Sequence, residues 1–186
     1  AEINPTGIIL SGGPESVTNN NTPRIPKIIF DLEIPILGIC YGMQTLAEQF
    51  GGQVTASKTK EFGHASVTIE TACILFDGFD ARSSIDVWMS HGDHVSSLPD
   101  QFSLIASTPS APIAAMAHNE KPIYALQFHP EVTQTTEGNI VLENFVFRIC
   151  NCQAQWKMGS LIEQRIHDIK EKVGDKKVLL GLSGGV

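Results

Sequence analysis

Ile34-Pro35-Ile36-Leu37-Gly38-Ile39-Cys40-Tyr41-Gly42-Met43-Gln44 decides the fold. A nearly all-apolar run leads into Cys40, and helical spacing follows from Met43 to Phe50, stopping at Gly51-Gly52. A short apolar run of this kind is the pattern of a strand buried on both faces. The stretch therefore reads as strand, sharp turn, helix, with a thiol at the turn. Gly38 and Gly42 flank Cys40 two residues to either side, where side chains would collide as strand and helix converge. This is the thiol version of a nucleophile elbow. It sets the sulfur at a helix N-terminus, where the dipole and free N–H groups are expected to favour thiolate.

Working toward the N-terminus, Pro23 to Phe30 reads as a helix with Pro26 in its first turn. Gly7 to Ser11 is a short strand entering the loop Gly12-Gly13-Pro14. Toward the C-terminus the pattern changes to short strands over Val67–Glu70, Ile85–Met89, Ser103–Ser107, Ile113–His118 and Ile123–Phe128, separated by Gly, Pro, Ser and Asp turns. Asn139 to Ile149 has the spacing of a helix. The predicted architecture is α/β: a mostly parallel central sheet flanked by helices, with an added antiparallel section. In such sheets sites gather at the carboxyl ends of strands, where Cys40, Gly12-Gly13 and His129 all fall.

Composition excludes several classes. The net charge of −7 leaves no concentrated basic surface for nucleic acid. No apolar run approaches the roughly 18–20 residues of a membrane span, and the start lacks the features of a signal peptide. A cytoplasmic protein is expected. Four cysteines in 186 residues do not make a disulfide framework. Cys150-Asn151-Cys152 and the His91, Asp93, His94 group lack the further ligands of a metal site, so no metal is expected.

Gln127-Phe128-His129-Pro130-Glu131 supplies the partners of the thiol. In extended chain, positions i and i+2 point the same way, and Pro130 restricts His129 to extended conformations. Glu131 can then orient the imidazole of His129, which would serve as base to Cys40. The backbone N–H groups of Gly13 and Tyr41 would form an oxyanion hole beside the sulfur. Trp88 to His94 reads as a strand end running into a polar loop, with Ser90 and Asp93 as a substrate clamp and Asp93 suited to a cationic amino group.

These segments together resemble a class I (triad) glutamine amidotransferase domain, in particular those at the N-terminus of the glutamine-hydrolysing GMP synthases. The matching stretches are Gly7 to Ser16, Pro35 to Gln44, Trp88 to Asp93 and Gln127 to Val132, so the likeness covers nearly the whole chain. It implies Cys40 as nucleophile, His129 as base, Glu131 as its orienter and Gly13 and Tyr41 as oxyanion donors. Gly12, Gln44, Ser90 and Asp93 would hold glutamine. It further implies that ammonia passes to a synthetase domain that uses ATP, with Mg, to activate xanthosine monophosphate (XMP), giving GMP. The full-length enzyme is expected to be a homodimer.

The resemblance also divides the chain. Residues 1–152 match the amidotransferase domain without the strand and helix that precede it in the family. Asn151 to Gly159 reads as a linker, and Leu161 to Val173 as an amphipathic helix capped by Ser160. Lys177 to Leu182 reads as a strand entering Ser183-Gly184-Gly185, a partial ATP-binding loop. Residues 153–186 would thus be the start of an ATP-pyrophosphatase domain. No cofactor is expected in this piece, and its glutaminase activity alone is expected to be weak or absent. Two other readings fit the same elbow: a cysteine peptidase or γ-glutamyl hydrolase, and a non-catalytic docking module.

Overall fold

The computed structural model describes the backbone of residues 3–154 and 158–179, and side chains throughout these except 57–60 and 158–161. Two compact units divide the chain, residues 1–152 and 153–186.

The first unit is built on a seven-stranded mixed sheet of order β1-β2-β7-β6-β5-β3-β4. The strands are β1 (Ile8–Leu10), β2 (Ile36–Ile39), β3 (Gln53–Ile69), β4 (Ser84–Ser97), β5 (Phe102–Ser107), β6 (Ala115–His118) and β7 (Ile123–Leu126). Parallel pairing joins β1 to β2 and β2 to β7, while the pairings from β7 through β4 are antiparallel. The antiparallel section is the larger share of the described sheet. The parallel section carries the elbow.

Strand alternation accounts for two cores. Ile36, Met116, Ile123 and Ala125 pack on one face with Met43, Leu46 and Ala47 of helix α2 (Tyr41–Gln49). Leu37, Ile39, Ala115 and Leu126 pack on the other with Leu75, Phe76, Val141 and Phe145. Leu75 and Phe76 come from a single 3-10 turn, and Val141 lies on helix α3 (Gly138–Glu143). Both faces are thus covered by helical segments.

Several elements differ from the sequence expectation. Helix α1 is Lys27–Asp31, and Pro26 sits outside it as the N-cap. The helix expected over Asn139–Ile149 is α-helical only as far as Glu143 and widens to a π-helix over Asn144–Ile149. The wider turn brings Asn144 inward together with Phe145, and its Nδ2 donates to the carbonyls of Leu75 at 3.1 Å and Asp77 at 2.7 Å. The largest difference lies at Trp88–His94, which is strand, not loop. Strand β4 continues through it because β3 pairs alongside, His64 opposite Trp88 and Glu61 opposite His91. A register shift between Ala56 and Glu61 absorbs residues 57–60.

The second unit holds helix α4 (Met158–Val173). It starts before Ser160, so that serine is inside the helix and not its cap. Residues 177–179 form no regular strand, and the rest of the segment expected over Lys177–Leu182 lies outside the described residues, as do Ser183, Gly184 and Gly185. No helix of the described residues is long and apolar enough to cross a membrane.

Candidate active site

The elbow is held by close backbone approach. A Cβ added at Gly42 would lie 2.2 Å from the Leu10 carbonyl oxygen, and one at Gly38 would lie 2.6 Å from Leu46 Cδ1. Only hydrogen fits at either position. Cys40 takes φ 51° and ψ −105°, a backbone region costly for a residue with a side chain. The conformation is held on both sides: Cys40 N–H donates to Leu126 O at 2.7 Å, and Gln44 N–H donates to Cys40 O at 3.1 Å. The strand is thereby extended by one bond to β7 just before the helix begins.

Around the sulfur lies a cleft of about 660 Å³ lined by Gly13, Ser16, Cys40, Gln44, Asp93 and His129, among others. The thiol reaches the Ser90 carbonyl at 3.5 Å, and Gln127 Nε2 donates to the sulfur at 3.7 Å. Burial pushes the Cys40 thiol up to about 11, with smaller rises from the carboxylates of Glu131 and Asp93. The Tyr41 N–H and the Gln127 side chain oppose that rise without overcoming it. The thiolate expected from the helix N-terminus is therefore outweighed by desolvation, and the resting nucleophile is a thiol.

His129 approaches from the end of β7. Its Nδ1 and Glu131 Oε1 are 2.7 Å apart, which leaves Nε2 for proton transfer. Gly12 lies beside both His129 and Cys40: an added Cβ would come within 3.0 Å of His129 Cε1 and 3.5 Å of Cys40 Cβ. Gly13 is set against Tyr41, whose ring atoms would lie 3.8 Å from a Cβ added there. The Tyr41 hydroxyl points away from the cleft and donates to Pro23 O at 2.7 Å. Its contribution to the site is its main-chain N–H.

Gln44 and Asp93 form the opposite wall. Gln44 is buried, and its Nε2 donates to Asp93 O at 2.8 Å and to Gln127 Oε1 at 3.4 Å. Gln44 thus braces the strand that carries Asp93. All the residues singled out between Gly12 and Glu131 converge on this one region. The partial loop Ser183–Gly185 lies outside the described residues.

Three contributors were not legible as site residues. Thr135 is buried and ties three segments together: it accepts from Trp88 N–H at 2.9 Å and donates to His129 O at 2.6 Å. His129 N–H in turn donates to Trp88 O at 3.1 Å. Phe62, exposed on β3, lines the cleft through the pairing that carries β4 past it. His91 is buried with Nε2 3.2 Å from Glu61 Oε2, and burial lowers its pKa against the pull of that carboxylate. A signal existed for Gln127, a fully buried amide among apolar neighbours, since such a group requires partners.

Among the described residues no group of three or more His, Cys, Asp or Glu side chains is placed to hold a metal ion. The arrangement can deliver a thiol to a carbonyl carbon, remove and return its proton, and offer N–H groups to a developing oxyanion.

Comparison with known proteins agrees with this geometry. Residues 1–149 match the family Glutamine amidotransferase class-I. The whole chain is 53% identical to part of the glutamine-hydrolyzing GMP synthase from Teredinibacter turnerae and 55% identical to part of the protein of that name from Vibrio atlanticus. It spans 36% and 35% of their lengths, respectively. Among solved structures, that of a GMP synthase subunit from Thermoplasma acidophilum superposes with a TM-score of 0.67 at 36% identity. That match covers 87% of this chain and 76% of the other. A glutamine amidotransferase from Thermotoga maritima gives 0.52 at 25% identity over 79% of this chain and 60% of that one. With a strained Cys40 elbow, a His129–Glu131 pair beside it and a family match over most of its length, this chain belongs to the class I glutamine amidotransferases.

Proposed function

We propose that this chain is the glutaminase part of a glutamine-hydrolysing GMP synthase. The observation that carries the reading is the meeting of Cys40, His129 and Gly12-Gly13 around one cleft. The reaction follows from the groups present. Glutamine binds with its side-chain amide over the sulfur, its α-ammonium toward Asp93 and its polar groups toward Ser90 and Gly12. His129 Nε2 takes the thiol proton as Cys40 Sγ attacks the amide carbon. The oxyanion so formed accepts from the N–H groups of Gly13 and Tyr41, each such donor being worth about 3–4 kcal/mol of barrier.

Collapse breaks the carbon–nitrogen bond. The proton held by His129 goes to the departing nitrogen, which leaves as neutral ammonia, and a glutamyl thioester remains on Cys40. Water then attacks that thioester while His129 takes its proton. The carbon–sulfur bond breaks, glutamate leaves, and the proton returns to the sulfur. Glu131 holds the imidazole in the correct tautomer throughout and stabilises its protonated form.

The resting thiol fits this scheme. A pKa near 11 keeps the sulfur neutral until a substrate carbonyl and the His129 base are both in place. The relatives named GMP synthase are nearly three times as long as this chain, which leaves room for a synthetase part. There ammonia would attack XMP activated by ATP and Mg, within a homodimer. The thioester steps themselves use only side chains and N–H groups of residues 12–131.

The test is glutamate release from free glutamine by the chain joined to its synthetase part. Wild type should produce glutamate and ammonia in equal amounts, and Cys40→Ala should produce neither. Cleavage of peptides or γ-glutamyl chains in preference to free glutamine would overturn the reading. So would glutamate release that survives Cys40→Ala.

A further inference from the structure

Ser16 bridges the two walls of the cleft. It lies in the loop after β1, close behind Gly12-Gly13, and faces Asp93 on β4. Its Oγ donates to Asp93 Oδ2. A serine hydroxyl has one proton to give. With that proton on Asp93, the 2.7 Å contact between Ser16 Oγ and Thr18 Oγ1 must be filled by the proton of Thr18. The direction of the chain is thereby fixed: Thr18 to Ser16 to Asp93.

Both ends of this relay are anchored. Thr18 N–H also points at Ser16 Oγ at 3.3 Å, and Asn19 N–H donates to Ser16 O at 3.1 Å, closing the turn. On the other wall Gln44 grips the Asp93 carbonyl at 2.8 Å. Asp93 is therefore held by its main chain and by one carboxylate oxygen. Its Oδ1 makes no hydrogen bond among the described residues. The Ser16 hydroxyl is a neutral partner, so this bond, unlike one from Arg or Lys, brings no positive charge to Asp93.

We infer that Ser16, with Thr18 behind it, is a positioning residue that presents Asp93 Oδ1 to the α-ammonium of the substrate amino acid. This inference rests on the glutaminase reading above and assigns part of its specificity for an α-amino acid.

The test uses reagents that need no turnover, applied to the intact chain. They are 6-diazo-5-oxo-L-norleucine, its counterpart lacking the amino group, 6-diazo-5-oxohexanoate, and iodoacetamide, each followed by the rate of Cys40 alkylation. Ser16→Ala should lower the efficiency of capture by the amino-acid reagent about tenfold, the size expected when a charge-assisted hydrogen bond is lost. Capture by the desamino reagent and by iodoacetamide should be unchanged, which also reports an intact fold. Ser16→Thr should restore capture, and Thr18→Val should give a smaller loss of the same kind. An equal loss for both diazoketones, or no loss for either, would overturn the role of Ser16. If wild-type Cys40 reacts with iodoacetamide but never saturably with the amino-acid reagent, the glutaminase reading itself fails, and this one with it.

Discussion

His129 and Glu131 meet through Nδ1 and Oε1 at 2.7 Å although only Pro130 separates them, and the contact leaves Nε2 as the one ring nitrogen available to Cys40. The carboxylate is half-exposed, so water screens it and its influence on the imidazole is correspondingly moderate. Glu131→Gln keeps the shape but supplies an amide that can donate as well as accept, allowing the wrong tautomer. Loss of a buried orienting carboxylate in a triad costs about 10⁴ in rate. At this exposed position we expect a smaller drop, about 10- to 100-fold, in Cys40 capture by 6-diazo-5-oxo-L-norleucine. A rate equal to wild type would show that Glu131 plays no part in orienting His129.

The buried thiol predicts a pH profile. With Cys40 raised to about 11, the thiolate fraction in the empty site grows about tenfold for each pH unit below that value. Alkylation by iodoacetamide should therefore keep rising from pH 7 to pH 10 without levelling. A lowered thiol pKa, such as an exposed helix N-terminus would give, would instead level near neutrality. A plateau below pH 9 would mean that the dipole and the Tyr41 N–H outweigh burial.

Much of this was readable from local rules, and the misses share a cause. The elbow was legible because a run buried on both faces, two glycines and a cysteine leave few alternatives. His129 and Glu131 were legible as a pair because one residue separates them, although the structure joins them across a turn at Pro130–Glu131 beyond the end of β7 and not along an extended strand. The long β3–β4 pairing was not. Its residues near the cleft are polar on the face that elsewhere is apolar, so alternation fades at His91 and Asp93 while the hydrogen-bonded ladder continues. Thr135, Ser16 and Phe62 were hidden for a different reason. Each acts through a contact across the fold, and no spacing along the chain announces such a contact.

Thr135 should be worth more than its size suggests. Its hydroxyl satisfies the Trp88 N–H and the His129 carbonyl together, inside the protein. Thr135→Val keeps the volume and strands the N–H, which costs about 1–3 kcal/mol. Urea unfolding should show that loss, and capture of Cys40 by the glutamine analogue should fall with it because His129 is no longer pinned. Thr135→Ser keeps the hydroxyl and should recover most of both. Stability lost equally in the Val and Ser variants would assign the effect to the methyl group instead.

Gly12 and Gly13 are neighbours, yet alanine should affect them differently. At Gly13 an added Cβ meets nothing nearer than the Tyr41 ring at 3.8 Å, an ordinary contact. At Gly12 the same atom would press on His129 Cε1 at 3.0 Å, with Cys40 Cβ only 3.5 Å away. The imidazole must then retreat from the sulfur, and proton transfer depends on hydrogen-bond reach. Gly12→Ala should therefore slow the His129-dependent steps, with capture by the glutamine analogue falling by about tenfold, less than the roughly 100-fold of a 1 Å misplacement because the imidazole need shift only part of that distance. Urea midpoints should stay close to wild type for both variants, since neither new methyl group strikes backbone. Gly42→Ala supplies the contrast: its Cβ would strike the Leu10 carbonyl at 2.2 Å, within the β1–β2 ladder, so it should lose about 1–3 kcal/mol of stability or more. Should Gly12→Ala and Gly13→Ala slow capture to the same extent, crowding at His129 would not be the reason that glycine is needed at position 12.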